Sequence, residues 1–231
     1  MSVSTRGEIR ALLNVMDWRA ESDVVASGEL PSNDGESVSW ELRLGWNLAI
    51  ANMCDESWGI FNIQLMRYIR EQHYTDDELA RVLGPVQLDD SHWRWLEKAM
   101  FHAEDEYKWF FLMAQDKPQV ACLLYHPKPS AFDGEPVFYV EYLAAAPWNR
   151  ENPMAARRFK GVGRLLMTLV CRHATQRLGL RPGFALHALP RAEGFYEAIG
   201  MCRFPGRDKD ELAYFEMPQE NPLLATEGAA S

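Results

Sequence analysis

The sequence predicts an α/β chain of the α+β type, a mixed sheet with helices on its faces, preceded by an N-terminal extension. Three observations carry this. Tyr107–Ala114 and Gln119–Tyr125 are β-rich runs joined by Gln115-Asp-Lys-Pro, which reads as a hairpin. Val137–Ala145 is another strand, and it precedes helical spacing over Gly161–Leu178 and a further strand at Phe184–Leu189, a βαβ order. A helix over Arg191–Ile199, stopped by Gly200, and a last strand over Glu211–Met217 complete the second half.

The first half is less regular. Glu8–Val15 is a short helix candidate, and the Ser/Gly-rich stretch Ser27-Gly-Glu-Leu-Pro-Ser-Asn-Asp-Gly35 reads as irregular, so residues 1–37 are expected to be an extension or long loop. From Trp40 to Ile50 the apolar spacing fits both a strand and one helix face, and Ile60–Arg70 is equally ambiguous. Thr75-Asp-Asp-Glu78 is a capping box that opens a helix to about Leu83. Asp89-Asp90-Ser91 is expected to cap a helix to about His102, burying Trp95, Leu96, Ala99 and Met100. In Gly161–Leu178 one stripe holds Val162, Leu165, Leu166, Leu169 and Val170, and Gly179 is a natural stop. A loop is expected over His126–Pro136 and a mobile tail over 218–231. The main domain is expected to span 38–217.

Composition narrows the function classes. With 231 residues, 47% of them hydrophobic, the chain can bury a core and is not a disordered segment. No apolar run approaches the roughly 20 residues of a membrane helix, and the first residues lack a secretory signal pattern, so no membrane association and a cytoplasmic location are expected. Cys54, Cys122, Cys171 and Cys202 are scattered without metal-site spacing, which points to reduced thiols and no metal site. A net charge of −9 argues against non-specific nucleic-acid binding. Most of the tryptophans read as core residues.

Within this acidic chain, Arg157, Arg158, Lys160 and Arg164 place four cations in eight residues, at the junction of a strand and a helix. A helix start offers free N–H groups and a partial positive charge, and Gly161 and Gly163 let backbone come close to a phosphate. The segment is neither a Walker loop nor the G-x-G-x-x-G fingerprint. It has the features of a pyrophosphate site.

Arg158-x-x-Gly161-x-Gly163 resembles the Arg/Gln-x-x-Gly-x-Gly/Ala acyl-CoA loop of the GNAT superfamily of N-acetyltransferases. Tyr142-Leu-Ala-Ala-Ala-Pro147 is similar to that family's central strand, and Ala192-Glu-Gly-Phe-Tyr196-Glu-Ala-Ile-Gly200-Met201 resembles its Ala-x-x-x-Tyr-x-x-x-Gly-Phe helix end. The resemblance covers about residues 90–217. It implies a GNAT-like, mostly antiparallel sheet and acetyl transfer from acetyl-CoA to a primary amine of a small molecule or protein. It also implies cofactor contacts by Leu143, Ala144, Ala145, Arg158, Phe159, Lys160, Gly161, Val162, Gly163 and Arg164. Pantetheine would lie along Leu143–Ala145, and an N–H near Leu143 would steady the oxyanion. Residues 1–37 are expected to cover a surface or shape the acceptor site, not to bind CoA.

The resemblance gives Tyr196 the task of protonating the departing thiolate. The general base is open between Glu141, His187 and water. Strand alternation puts Glu141, Leu143 and Ala145 on one face and Val140 and Tyr142 on the other. The sequence departs from the family pattern in two places. Eleven residues, Pro147–Arg157, separate the strand end from Arg158, and His187 and Ala188 stand where many relatives carry an Asn. A homodimer stays open. A non-catalytic acyl-CoA-binding or interaction protein with the same fold is the alternative.

Overall fold

The computed structural model describes residues 6–15, 17, 19 and 22–221. Eight strands form one sheet in the order β1-β2-β3-β4-β5-β6-β8-β7. They are β1 (Asp23–Pro31), β2 (Ser37–Leu44), β3 (Tyr107–Ala114), β4 (Lys117–Pro129), β5 (Pro136–Ala145), β6 (Phe184–Ala188), β7 (Cys202–Arg203) and β8 (Ala213–Glu216). The helices are α1 (Arg6–Val15), α2 (Leu48–Glu71), α3 (Asp76–Leu83), α4 (Trp95–Phe101), α5 (Val162–Leu178) and α6 (Glu193–Ala198). The sheet is mixed and mostly antiparallel, with β5 and β6 parallel. No helix among the described residues is long and apolar enough to cross a membrane.

The chain divides into two compact units. The first comprises Met1–Ala103, Trp109–Ala121 and Ala144–Val162; the second comprises Glu104–Lys108, Cys122–Leu143 and Gly163–Ser231.

In the first unit, the stretch expected to be irregular is strand β1, paired antiparallel with β2 from Asp23↔Leu44 to Pro31↔Ser37. Gly28 does not mark a turn. It faces Trp40 in the register, and a Cβ on it would lie 2.8 Å from the indole ring, so the glycine makes room for an aromatic. The ambiguous run from Trp40 resolves into both alternatives in succession. Strand β2 ends at Leu44, Gly45 turns with φ 138°, and α2 begins under an Asn47 cap whose side chain accepts from Ile50 N–H. On α2, Ala51, Cys54, Trp58, Leu65 and Ile69 form the buried stripe, while Ile60 and Ile63 face out.

The capping box of α3 is present in both directions, Thr75 N–H to Glu78 and Glu78 N–H to Thr75. The expected cap of α4 is not. The helix starts at Trp95, and its first N–H groups are taken by the Asp55 carboxylate of α2, at 2.6 Å from Trp95 N and 3.2 Å from Leu96 N. A carboxylate brought in by packing replaces the local Asp, and Asp90 is used elsewhere. Trp95 and Ala99 are buried as expected, whereas Met100 is exposed. Trp58, Trp95 and Trp109 pack edge to face at 5.7 and 6.3 Å, which makes these three tryptophans core residues.

In the second unit, β4 runs on to Pro129 and shortens the expected loop. The buried line of α5 in this unit is Leu166, Val170 and Ala174, with Leu165 and Leu169 half-buried. The helix ends just before Gly179, which has φ 64°. Of the expected mobile tail, residues 222–231 lie outside the described residues, while Asn221 donates to Ile199 O at 2.8 Å.

Candidate active site

The phosphate-loop candidate has two halves. In the first, both backbone polar groups of Arg158 are held: its N–H donates to Trp148 O at 3.0 Å, and its carbonyl accepts from Asn33 N–H at 2.9 Å. Phe159 N–H donates to Asn149 Oδ1 at 3.1 Å, and Phe159 bridges antiparallel to Ser32. The Phe159 side chain is fully buried and anchors the loop, so only its backbone could face a ligand. In the second half, Lys160, Gly161 and Arg164 are exposed, and Gly161 has φ 73°. A Cβ added at Gly161 or Gly163 would meet no atom within 4 Å. The helix α5 begins at Val162, so its first N–H groups lie in this glycine segment.

The eleven-residue link before Arg158 is a brace. A 3₁₀ turn over Pro147–Asn149 is pinned by Gln119, which is fully buried in the first unit. Gln119 Oε1 accepts from Trp148 Nε1 at 2.8 Å and Asn149 Nδ2 at 2.9 Å, and its Nε2 donates to Ala114 O and Lys117 O. A buried glutamine with all its groups used is a rigid joint. Arg150 forms a bidentate pair with Asp90 and donates through Nε to Ala145 O at 2.8 Å, which occupies one lone pair of that carbonyl. The Arg158 guanidinium bonds to Gln115 Oε1. Near this link the first unit has a small cleft, open to solvent and lined by Trp58, Trp93, Asn62, Gln87 and Arg150. Asn62 Oδ1 in its lining is buried without a hydrogen-bond partner among the described residues.

In the second unit, the parallel pairing of β5 with β6 covers Phe138↔Phe184, Tyr139↔Ala185 and Val140↔Leu186. β5 continues to Ala145, and Glu141 is the first residue past the last pair. Leu143 and Ala145 are half-buried and Ala144 is buried. Glu141 is half-buried among phenols, and among the described residues no side chain donates a hydrogen bond to its carboxylate. Burial, and after it the Glu141 charge, pushes Tyr107, Tyr139 and Tyr142 above the usual phenol range. Lys128 is held below the usual lysine range, first by burial and then by Lys209; Glu141 opposes this. Its ammonium lies 3.7 Å from the centre of the Tyr139 ring.

His187 is fully engaged. Its Nε2 lies 2.9 Å from Arg207 O, which can only accept, so Nε2 carries the proton. Nδ1 therefore accepts from the Tyr139 hydroxyl at 2.6 Å. Burial pushes the imidazole below the usual histidine range. Tyr196, on α6, is half-buried beside Phe195 and Phe215, and burial pushes its phenol up to about 12. Sequence reasoning misses Tyr139, Lys128, Gln119 and Asn149. Gln119 carries the clearest signal, a polar side chain at the head of the apolar run Val120–Leu124, which must find partners once buried.

No family model and no curated protein matches the chain. Solved structures do. A GNAT-family protein of Desulfovibrio desulfuricans is 14% identical with TM-score 0.43, covering 77% of this chain and 98% of that one. FdhC, described as a nucleotide-linked sugar GNAT, is 15% identical with TM-score 0.45 over 85% of this chain and 93% of its own. The Campylobacter jejuni N-acetyltransferase PseH, in complex with acetyl coenzyme A, is 18% identical with TM-score 0.37 over 56% and 79%. Several of the similar structures are thus GNAT-family acetyltransferases and acyl-CoA N-acyltransferases, all at low identity.

Proposed function

We propose that the chain is an N-acyltransferase that moves an acetyl group from acetyl-CoA to a primary amine. The observation that carries this is the Arg158–Arg164 segment. Its first half is locked, its glycine half presents backbone with open space where a Cβ would stand, and a helix starts within it. Backbone N–H groups at a helix start, with Lys160 and Arg164 exposed beside them, suit a pyrophosphate. Leu143 and Ala144, on a strand that continues past its last β6 pair, would hold the pantetheine arm as an added strand.

When bound, acetyl-CoA supplies a thioester whose carbonyl carbon the amine attacks and whose C–S bond breaks. The amine must arrive without its extra proton. Glu141 is the better acceptor for it, because no side chain among the described residues donates to its carboxylate, whereas the His187 Nδ1 lone pair is held by Tyr139. Tyr196 keeps its proton at neutral pH and can donate a hydrogen bond to the leaving sulfur. A phenol near 12 does not readily surrender its proton to a thiolate, since thiols lie near ~8.5. Tyr196 therefore steadies the thiolate more than it protonates it.

The test is an acetyl-CoA turnover screen over a diverse amine panel, following release of free CoA thiol. Release with at least one amine is expected. Acetyl-CoA binding with no turnover on any amine would favour a non-catalytic binding protein.

A further inference from the structure

We infer that the turn between β1 and β2 is a positioning part of the phosphate loop. This rests on the reading of Arg158–Arg164 as that loop. The supporting contacts are backbone connections within the first unit. Ser32 forms an isolated antiparallel bridge with Phe159, and Asn33 N–H donates to the Arg158 carbonyl at 2.9 Å. On the other side of the same two residues, Trp148 O and Asn149 Oδ1 accept their N–H groups. Arg158 and Phe159 are thus clamped between two segments distant from each other in sequence, and the clamp ends where the glycines begin.

The turn is built to hold its own shape. Ser32 N–H donates to Glu36 O at 2.8 Å, Gly35 N–H to Ser32 O at 3.1 Å, and Gly35 sits at φ 87°, a conformation that favours glycine. The Asp34 carboxylate accepts from Ser32 Oγ and from Glu36 N–H, and these bonds hold it below the usual carboxylate range, with Arg158 adding a smaller attraction. A rigid tip on a two-stranded ribbon fixes where Arg158 and Phe159 lie. The free N–H groups that follow are then presented in one arrangement, so a phosphate meets donors already placed. Residues 1–37, expected to stay clear of the cofactor, contain half of this clamp.

Two variants test it. In one, Ser32–Glu36 is replaced by Asn-Gly, keeping both strands; in the other, Asn33→Pro removes the Asn33 N–H donor and keeps the length of the turn. Calorimetry measures CoA and pantetheine, which lacks the phosphates, and hydrogen exchange follows the amides of residues 160–163 in the free protein. CoA affinity is expected to fall about tenfold, the loss of one or two hydrogen bonds, with pantetheine unchanged and the loop amides exchanging faster. Unchanged CoA affinity and unchanged exchange in both folded variants would overturn the inference. Faster exchange in a protein whose parent binds no CoA would leave the positioning role standing and remove the phosphate-loop reading.

Discussion

The Tyr139 hydroxyl donates to His187 Nδ1 at 2.6 Å, and this single bond separates the two candidate bases. With Nε2 donating to Arg207 O, the imidazole has no lone pair left for an incoming amine. Glu141, two residues along β5 from Tyr139, does. Glu141→Gln is expected to lower kcat about 10²–10⁴-fold at neutral pH, a loss that shrinks as rising pH deprotonates the amine unaided. His187→Gln should change kcat by less than about tenfold. Steady-state rates across pH check the ranking, and a severe His187 variant beside a mild Glu141 variant would reverse the assignment.

Tyr196→Phe keeps the ring and removes the hydroxyl. A lost hydrogen bond to a charged sulfur is worth roughly 1.5–3 kcal/mol, so kcat should fall about 10–10²-fold while CoA affinity holds. Single-turnover kinetics with calorimetry of CoA binding separates the two effects. An unchanged chemical step would take Tyr196 out of the reaction.

Gln119 joins the hairpin turn to the brace that holds Arg158 and Phe159. Gln119→Leu keeps the bulk but removes the acceptor of Trp148 Nε1 and leaves Asn149 Nδ2 only its 3.5 Å bond to the residue-119 carbonyl. A cost of about 2–4 kcal/mol is expected, read by urea unfolding. A loss below about 0.5 kcal/mol would show that the joint is not structural.

His126, His173 and His187 are each held below the usual histidine range, chiefly by burial. The unfolded chain therefore binds more protons than the folded one as pH falls below about 6.5. Stability should be fully present above that pH and decline as it is crossed downward. Thermal unfolding between about pH 7.5 and 5.5 reads this, with a smaller decline in His187→Gln. A Tm that holds steady or rises on acidification would contradict it.

Local chemistry makes much of the second half readable. The β3–β4 hairpin turns on Gln115 and Asp116, both at positive φ, and its strands read as expected because they are apolar and continuous. The α3 capping box and the Gly179 stop are likewise local. What escapes sequence reading depends on residues far apart in the chain. Gly28 is a strand residue because Trp40 lies across it, α4 is capped by Asp55 from α2, and Asn33 bonds to Arg158. The Arg158–Gly163 motif is legible, but its clamp is not, since neither Asn33 nor Asn149 carries a sign of its partner.

The most direct measurement is calorimetry of CoA binding to the parent protein, Arg158→Glu/Lys160→Glu and Gly163→Val. Gly163 is the sharper glycine to change, because its φ is not in the left-handed region and its surroundings have room for a side chain. Micromolar-range binding to the parent is expected, with a loss of at least about 10²-fold in both variants, because one sets negative charge against the phosphates and the other fills their space. Parent-like CoA affinity in both folded variants would contradict the assignment of this loop to the cofactor.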